Sequence, residues 1–147
     1  MVLTPIAVLV IVSLWLAFRR FTDVLLSVAT LAFSAIALQA IMDLIGWRWN
    51  LMNLMALPLL LGMGVDYSIH IQLALRRYKG DLAAVRKSVG RALLLAGTTT
   101  VVGFGSLSFS MNAGMASLGK VCALGIALAV VTSVYLLPVW WRATHRH

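Results

Sequence analysis

Leu59–Gln72 reads LLLGMGVDYSIHIQ. Asp66, Tyr67 and His70 stand inside a run that is otherwise apolar enough for the middle of a membrane helix. Insertion scales put an ionised aspartate at a helix centre at a cost of about 2.5–3.5 kcal/mol. An acid placed there is expected to do something, and its neighbours suggest what.

The surrounding composition fixes the class. The chain has 147 residues, 62% of them hydrophobic and 11% charged, with a mean hydropathy of +0.99. A soluble domain of this length needs a polar surface that this composition does not supply. Twelve Lys and Arg against four acidic residues give a net charge of +8. The basic residues lie almost entirely between apolar runs, where they orient spans and meet lipid headgroups, so no nucleic-acid partner is expected. Cys122 is the single cysteine; it forms no intrachain disulfide and suits close packing.

Five runs are long enough to cross a bilayer: Val2–Phe18, Val24–Ile45, Leu51–Leu75, Ala92–Ser110 and Met115–Trp141. The first lacks the basic flank and the cleavage pattern of a signal peptide. The expected fold is an all-α membrane protein, with residues 1–147 forming one transmembrane domain of five helices. Connections alternate in charge. Arg19 and Arg20 follow the first run; Arg76, Arg77, Lys79, Arg86, Lys87 and Arg91 separate the third and fourth; Arg142 and Arg146 close the chain. The positive-inside rule then puts the N-terminus outside and the C-terminus in the cytoplasm. Trp47 and Trp49 mark one interface, Trp140 and Trp141 the other. Asp81 caps a short helix whose Leu82, Val85 and Val89 share a face, which predicts an amphipathic segment along the inner surface.

Asp66 lies fifteen residues beyond Leu51, about 22 Å into a core of about 30 Å. Gly62, Asp66 and His70 follow i, i+4, i+8 and share one helix face. Gly62 clears space beside the carboxyl, and Gly64 lets another helix approach. His70 either exchanges a proton with this site or anchors the helix at the interface. Tyr67, about 100° around, offers its hydroxyl to a neighbour. A side chain that takes up and releases a proton within the membrane is what a proton carrier needs, and Asp66 is the candidate.

The fourth run carries Thr99, Gly103, Ser106 and Ser110 at i, i+4, i+7, i+11. This stripe is either a close-packing seam or a hydroxyl path toward Asp66. Ser117, Val121, Gly125, Ala129 and Ser133 predict a second packing seam on the fifth run, with Gly119 and Pro138 marking its ends.

The stretch GMGVDYSIHIQLALRRY resembles the signature of the fourth helix in each half of resistance–nodulation–division (RND) transporters, closest to the MMPL-like exporters. GRALLLAGTTTVVGFGSLSFS and the closing LLPVWW resemble the same family. The resemblance implies that a half comprises one helix, a large periplasmic domain and five further helices, and that the runs here are that terminal set. It implies that Asp66 and Tyr67 are a proton-relay pair, and that the proton gradient moves hydrophobic or lipid-like molecules out of the inner membrane. It also implies a partner: the other half of the transporter, in the same longer chain or in a second one. The position of the last run points to the C-terminal part of such a chain.

Two other classes are weighed. An intramembrane aspartyl protease needs two carboxyls at one depth, but Asp43 lies near the opposite end of its run from Asp66, and Asp23 and Asp81 sit at cytoplasmic boundaries. No metal-binding, nucleophile–base or phosphate-loop motif is present, so no catalytic residue, metal or cofactor is expected. A lipid-binding or scaffold bundle that does not pump remains the alternative, and it needs no titrating acid.

Overall fold

The computed structural model describes residues 21–144 without interruption, together with residues 4–5, 8–9 and 11–12. The expected span Val2–Phe18 lies largely outside the described residues. The described residues are almost all helical, with no strand among them. Its elements are α1 (Phe21–Ile45), α2 (Leu51–Leu54), α3 (Ala56–Arg77), α4 (Leu82–Val85), α5 (Arg91–Ser106), α6 (Ala113–Val131) and α7 (Leu137–Thr144). Four stretches among the described residues are long and apolar enough to cross a membrane: Thr22–Ile45, Leu51–Arg77, Leu82–Phe109 and Ala113–Thr144.

Local chemistry sets the breaks. α1 stops where Gly46 takes φ +77, with Trp47 N–H on the Met42 carbonyl at 2.8 Å, a closure that satisfies orphan carbonyls. Asn50 and Asn53 then cap each other's backbone N–H at 2.8 Å to start α2. α3 ends in the same way as α1: Lys79 (φ 51) and Gly80 (φ 82) are left-handed, and Gly80 N–H reaches the Leu75 carbonyl at 2.8 Å. Asp81 accepts from the N–H groups of Ala83 and Ala84 at 3.0 and 3.2 Å, capping the next helix as its sequence suggested.

Two expectations are corrected here. The segment after Asp81 is not a separate surface helix: α4 runs through a π turn (Arg86–Gly90) into α5, so helical structure is unbroken from Leu82 to Phe109. The reason lies in packing. The predicted apolar face does exist, but Val85 is fully buried in the protein core and Leu82 and Val89 pack against it, so the face is covered by protein. Gly119 and Pro138 also lie inside the last span, not at its ends. Pro138 cannot donate a backbone hydrogen bond, and it is tolerated just past a second π turn, Thr132–Leu136, where the bonding register has already shifted.

The last span is the most buried of the four, and the other spans dock on it at small residues. A Cβ on Gly97 would meet the Val130 side chain, and one on Gly125 would lie 2.6 Å from Leu60 Cδ1; between α3 and α1, one on Gly64 would meet Leu31. Of the predicted seam, Val121, Gly125, Ala129 and Ser133 are buried and Ser117 is half-buried. The two π turns also touch: Gly90 faces Val134, and the Arg86 guanidinium lies 5.3 Å from the Tyr135 ring centroid.

Candidate proton-carrying face and a buried polar seam

α3 has two faces of opposite character. Gly64, Val65, Tyr67, Ser68, Ile71, Gln72 and Leu75 are buried against the bundle. Gly62, Asp66, His70 and Leu73 are exposed on the other side. The structure therefore brings Gly62, Asp66 and His70 onto one face, as their spacing predicted. Tyr67 does not join them: at 6% exposure it belongs to the hydrophobic core. Asp66 is the eleventh of 22 residues in α3, about 15 Å from either end of the helix. Among the described residues, no hydrogen bond or ion pair reaches Asp66 or His70.

The hydroxyl stripe on α5 is likewise turned outward, with Thr99, Gly103 and Ser106 exposed. Its hydroxyls bond to their own helix. Thr99 donates to the Leu95 carbonyl at 2.6 Å, flanked by Thr98 on Leu94 (2.7 Å) and Thr100 on Ala96 (2.9 Å). Ser106 donates to the Gly103 carbonyl at 2.7 Å. Among the described residues no hydroxyl of this stripe is bonded to Asp66. Ser110 leaves the stripe, because the last turn tightens to a 3-10 helix at Leu107–Phe109 and Ser110 itself is extended.

The glycines separate into two kinds. Gly64, Gly97, Gly114, Gly119 and Gly125 sit where a Cβ would strike a neighbour. Among the described residues, nothing lies within 4 Å of where a Cβ would be on Gly62, Gly103 or Gly105. A helix-interior glycine costs about 1 kcal/mol relative to alanine. At the second group, no packing contact among the described residues offsets that cost. These glycines lie beside Asp66 on α3 and within the outward side of α5.

The buried face of α3 holds residues the sequence reading missed. Asp23, read as a boundary residue, is completely buried and paired with the Arg76 guanidinium. Gln72 Nε2 donates to the Asp23 carbonyl at 3.0 Å and to Ser27 Oγ at 2.8 Å. Thr30 and Ser34 are buried and bond back to the Leu26 and Thr30 carbonyls at 2.8 and 3.0 Å. The signal was periodic. Asp23, Ser27, Thr30 and Ser34 follow i, i+4, i+7, i+11, while Ser68, Gln72 and Arg76 follow i, i+4, i+8. Two polar stripes meet and clamp α1 to α3. With Asp43 accepting from Gln39 at 2.8 Å and Asp23 on Arg76, no second carboxyl is joined to Asp66 among the described residues. No cluster of three metal-ligating side chains occurs among them either.

Membrane-length helices that enclose a buried polar seam and expose an ionisable face define a multi-pass membrane protein. The profile of the MMPL family matches residues 1–141, and the chain belongs to that family, within the RND superfamily. It is 34% identical over 128 residues to a hopanoid transporter of Burkholderia multivorans, covering 87% of this chain and 14% of that protein. It is 36% identical over 136 residues to a hopanoid transporter of Rhodopseudomonas palustris, covering 92% of this chain and 15% of the relative. The chain thus spans about one seventh of the length of these two curated relatives. No solved structure matches it significantly.

Proposed function

We propose that these helices are part of a proton-motive-force-driven exporter of hydrophobic or lipid-like molecules in the cell inner membrane, with Asp66 carrying the proton. The observation behind this reading is the exposure of Asp66 at mid-helix. An ionisable carboxyl facing lipid costs about 2.5–3.5 kcal/mol, whereas facing a second helix bundle it is covered and placed for exchange. The unfilled glycines at Gly62 and Gly103 support the same arrangement, because they leave room for a close approach by the other half of the transporter. His70, one turn from Asp66, joins the relay on this face. Tyr67 supports it from the core side, where it fixes the rotation of α3 about its axis. The hydroxyl stripe of α5 packs against the covering surface. The basic connections around Arg76 and Arg86 lie in the cytoplasm, and the chain's N-terminus lies outside.

The names of the relatives point to hopanoid-like lipids as the substrate class. The test is lipid export by cells expressing the intact polypeptide that contains these helices. Asp66→Asn abolishes uncoupler-sensitive export while leaving membrane abundance unchanged, and Asp66→Glu retains a measurable part of it. Export by Asp66→Asn at the parental rate refutes the proton role.

A further inference from the structure

The basic residues of the described chain are distributed unevenly. Arg76, Arg77, Lys79, Arg86, Lys87, Arg91 and Arg142 lie toward the end of the bundle where α3 meets α4 and where α7 finishes. Arg48 and Lys120 lie toward the other end, and they converge on one cleft of about 600 Å³ between the α1–α2 connection, the end of the α5 span and the first turns of α6. Trp47, Asn50, Ser110 and Ser117 line it with them, and no acidic side chain does. Asp43, the acid of that end, accepts from Gln39 at 2.8 Å and is not part of the lining.

The cleft is held by fixed contacts. Lys120 Nζ sits 5.9 Å from the Trp47 ring centroid, which ties the ammonium to one wall. Asn53 Nδ2 donates to the Arg48 carbonyl at 3.1 Å, anchoring the backbone that carries the guanidinium. Ser117 Oγ accepts from both Asn50 and Asn53, at 2.9 and 3.0 Å, which leaves its own proton for a further acceptor. Two cations and a hydroxyl proton with no counter-charge in the lining suit a phosphate: the guanidinium binds it through a planar fork, the ammonium as a point charge. Met111, part of the lining, is fully exposed at 106%, and Leu44 and Leu51, close in sequence to the lining residues Gly46 and Asn50, are 86% and 83% exposed. An anion with an acyl chain matches both surfaces; a free anion matches one.

We propose that this cleft binds the phosphate headgroup of an anionic phospholipid, its chains running along the apolar surface beside Met111. The site is separate from the Asp66 face and stands whether or not Asp66 carries protons.

The test is native mass spectrometry of the detergent-solubilised intact polypeptide, titrated in separate arms with phosphatidylglycerol, phosphatidylcholine and inorganic phosphate. At about fivefold per cation, Arg48→Gln with Lys120→Gln weakens the tightest phosphatidylglycerol binding about 25-fold. Lys79→Gln with Lys87→Gln, at the opposite end, changes it less than about twofold, and phosphatidylcholine binding is the same in all three proteins. Both cleft side chains are exposed, so the substitutions leave the fold intact, which unchanged thermal unfolding checks. Three results overturn the proposal: phosphatidylglycerol binding by the cleft variant within twofold of the parent, an equal loss in the opposite-end variant, or inorganic phosphate binding as tightly as the lipid. Unchanged lipid binding with loss of assembly identifies an acidic protein surface as the occupant instead.

Discussion

Gly119→Ala introduces a single methyl group where α6 meets backbone at the end of the α5 span. Its Cβ would lie 2.6 Å from the Phe104 carbonyl oxygen, 2.7 Å from Leu107 Cβ and 3.0 Å from the Ser108 backbone nitrogen. Carbon atoms settle at about 3.5–4.0 Å, so Leu107 Cβ must retreat by about 0.8 Å or more. Two of the three atoms are backbone, and no rotamer change moves them. The end of the α5 span must separate from α6, which breaks the packing that Gly97 and Val130 make lower down. Overpacking of this kind costs about 1–3 kcal/mol, and the gain in helix propensity, about 1 kcal/mol, only partly offsets it. Gly103→Ala makes the comparison, because its Cβ meets nothing within 4 Å among the described residues. The assay is unfolding of the intact polypeptide in mixed micelles with rising SDS. Gly119→Ala is expected to lose up to about 2 kcal/mol net, and Gly103→Ala to gain up to about 1 kcal/mol. Equal stability of the two variants, or greater loss in Gly103→Ala, refutes the assignment of α5–α6 contact to this glycine.

Other consequences concern the buried seam and the exposed face. Asp23→Ala removes the partner of the Arg76 guanidinium, which is 32% exposed, and is expected to destabilise by about 1.5–3 kcal/mol, while Asp23→Leu with Arg76→Met recovers most of the loss; a double-mutant cycle in the same micelles checks the coupling. Gln72→Leu removes two hydrogen bonds, to the Asp23 carbonyl and Ser27, at about 1 kcal/mol each. The shift of its unfolding midpoint measures this, and a shift indistinguishable from zero would mean that the seam does not hold α1 to α3. Gly62→Leu meets no neighbour among the described residues, so the stability of the helices described is expected to hold. If the proposed function holds, lipid export by the intact polypeptide is expected to drop severalfold as the bulk obstructs the proposed covering half, and parental export rates would show that nothing packs closely there.

Much of the architecture was legible from single stretches. The apolar runs set the spans, the helical spacing of Gly62, Asp66 and His70 set the exposed face, and Asp81 announced its cap. What escaped the reading depends on which helix faces which. Asp23 at the start of a span looks like a solvated boundary residue until α1 lies against α3 and Arg76 closes on it. Its stripe was visible in the spacing, but a polar stripe does not say whether it faces protein or water. The charged, Gly90-containing connection looked like a break, yet Val85 finds cover in the core and the helix passes through a π turn without stopping. Gly119 looked like an end marker because glycine ends many helices; here it is the residue that lets another backbone come close.

The central claim is that Asp66 exchanges a proton during transport. Its most direct test is the internal pH of proteoliposomes holding the intact polypeptide, followed with a trapped pH-sensitive dye as a lipid substrate is added. Asp66 protein should move protons when substrate is present, and Asp66→Asn protein, equally abundant and equally stable, should move none. Substrate-dependent proton movement at the parental rate in Asp66→Asn contradicts the account.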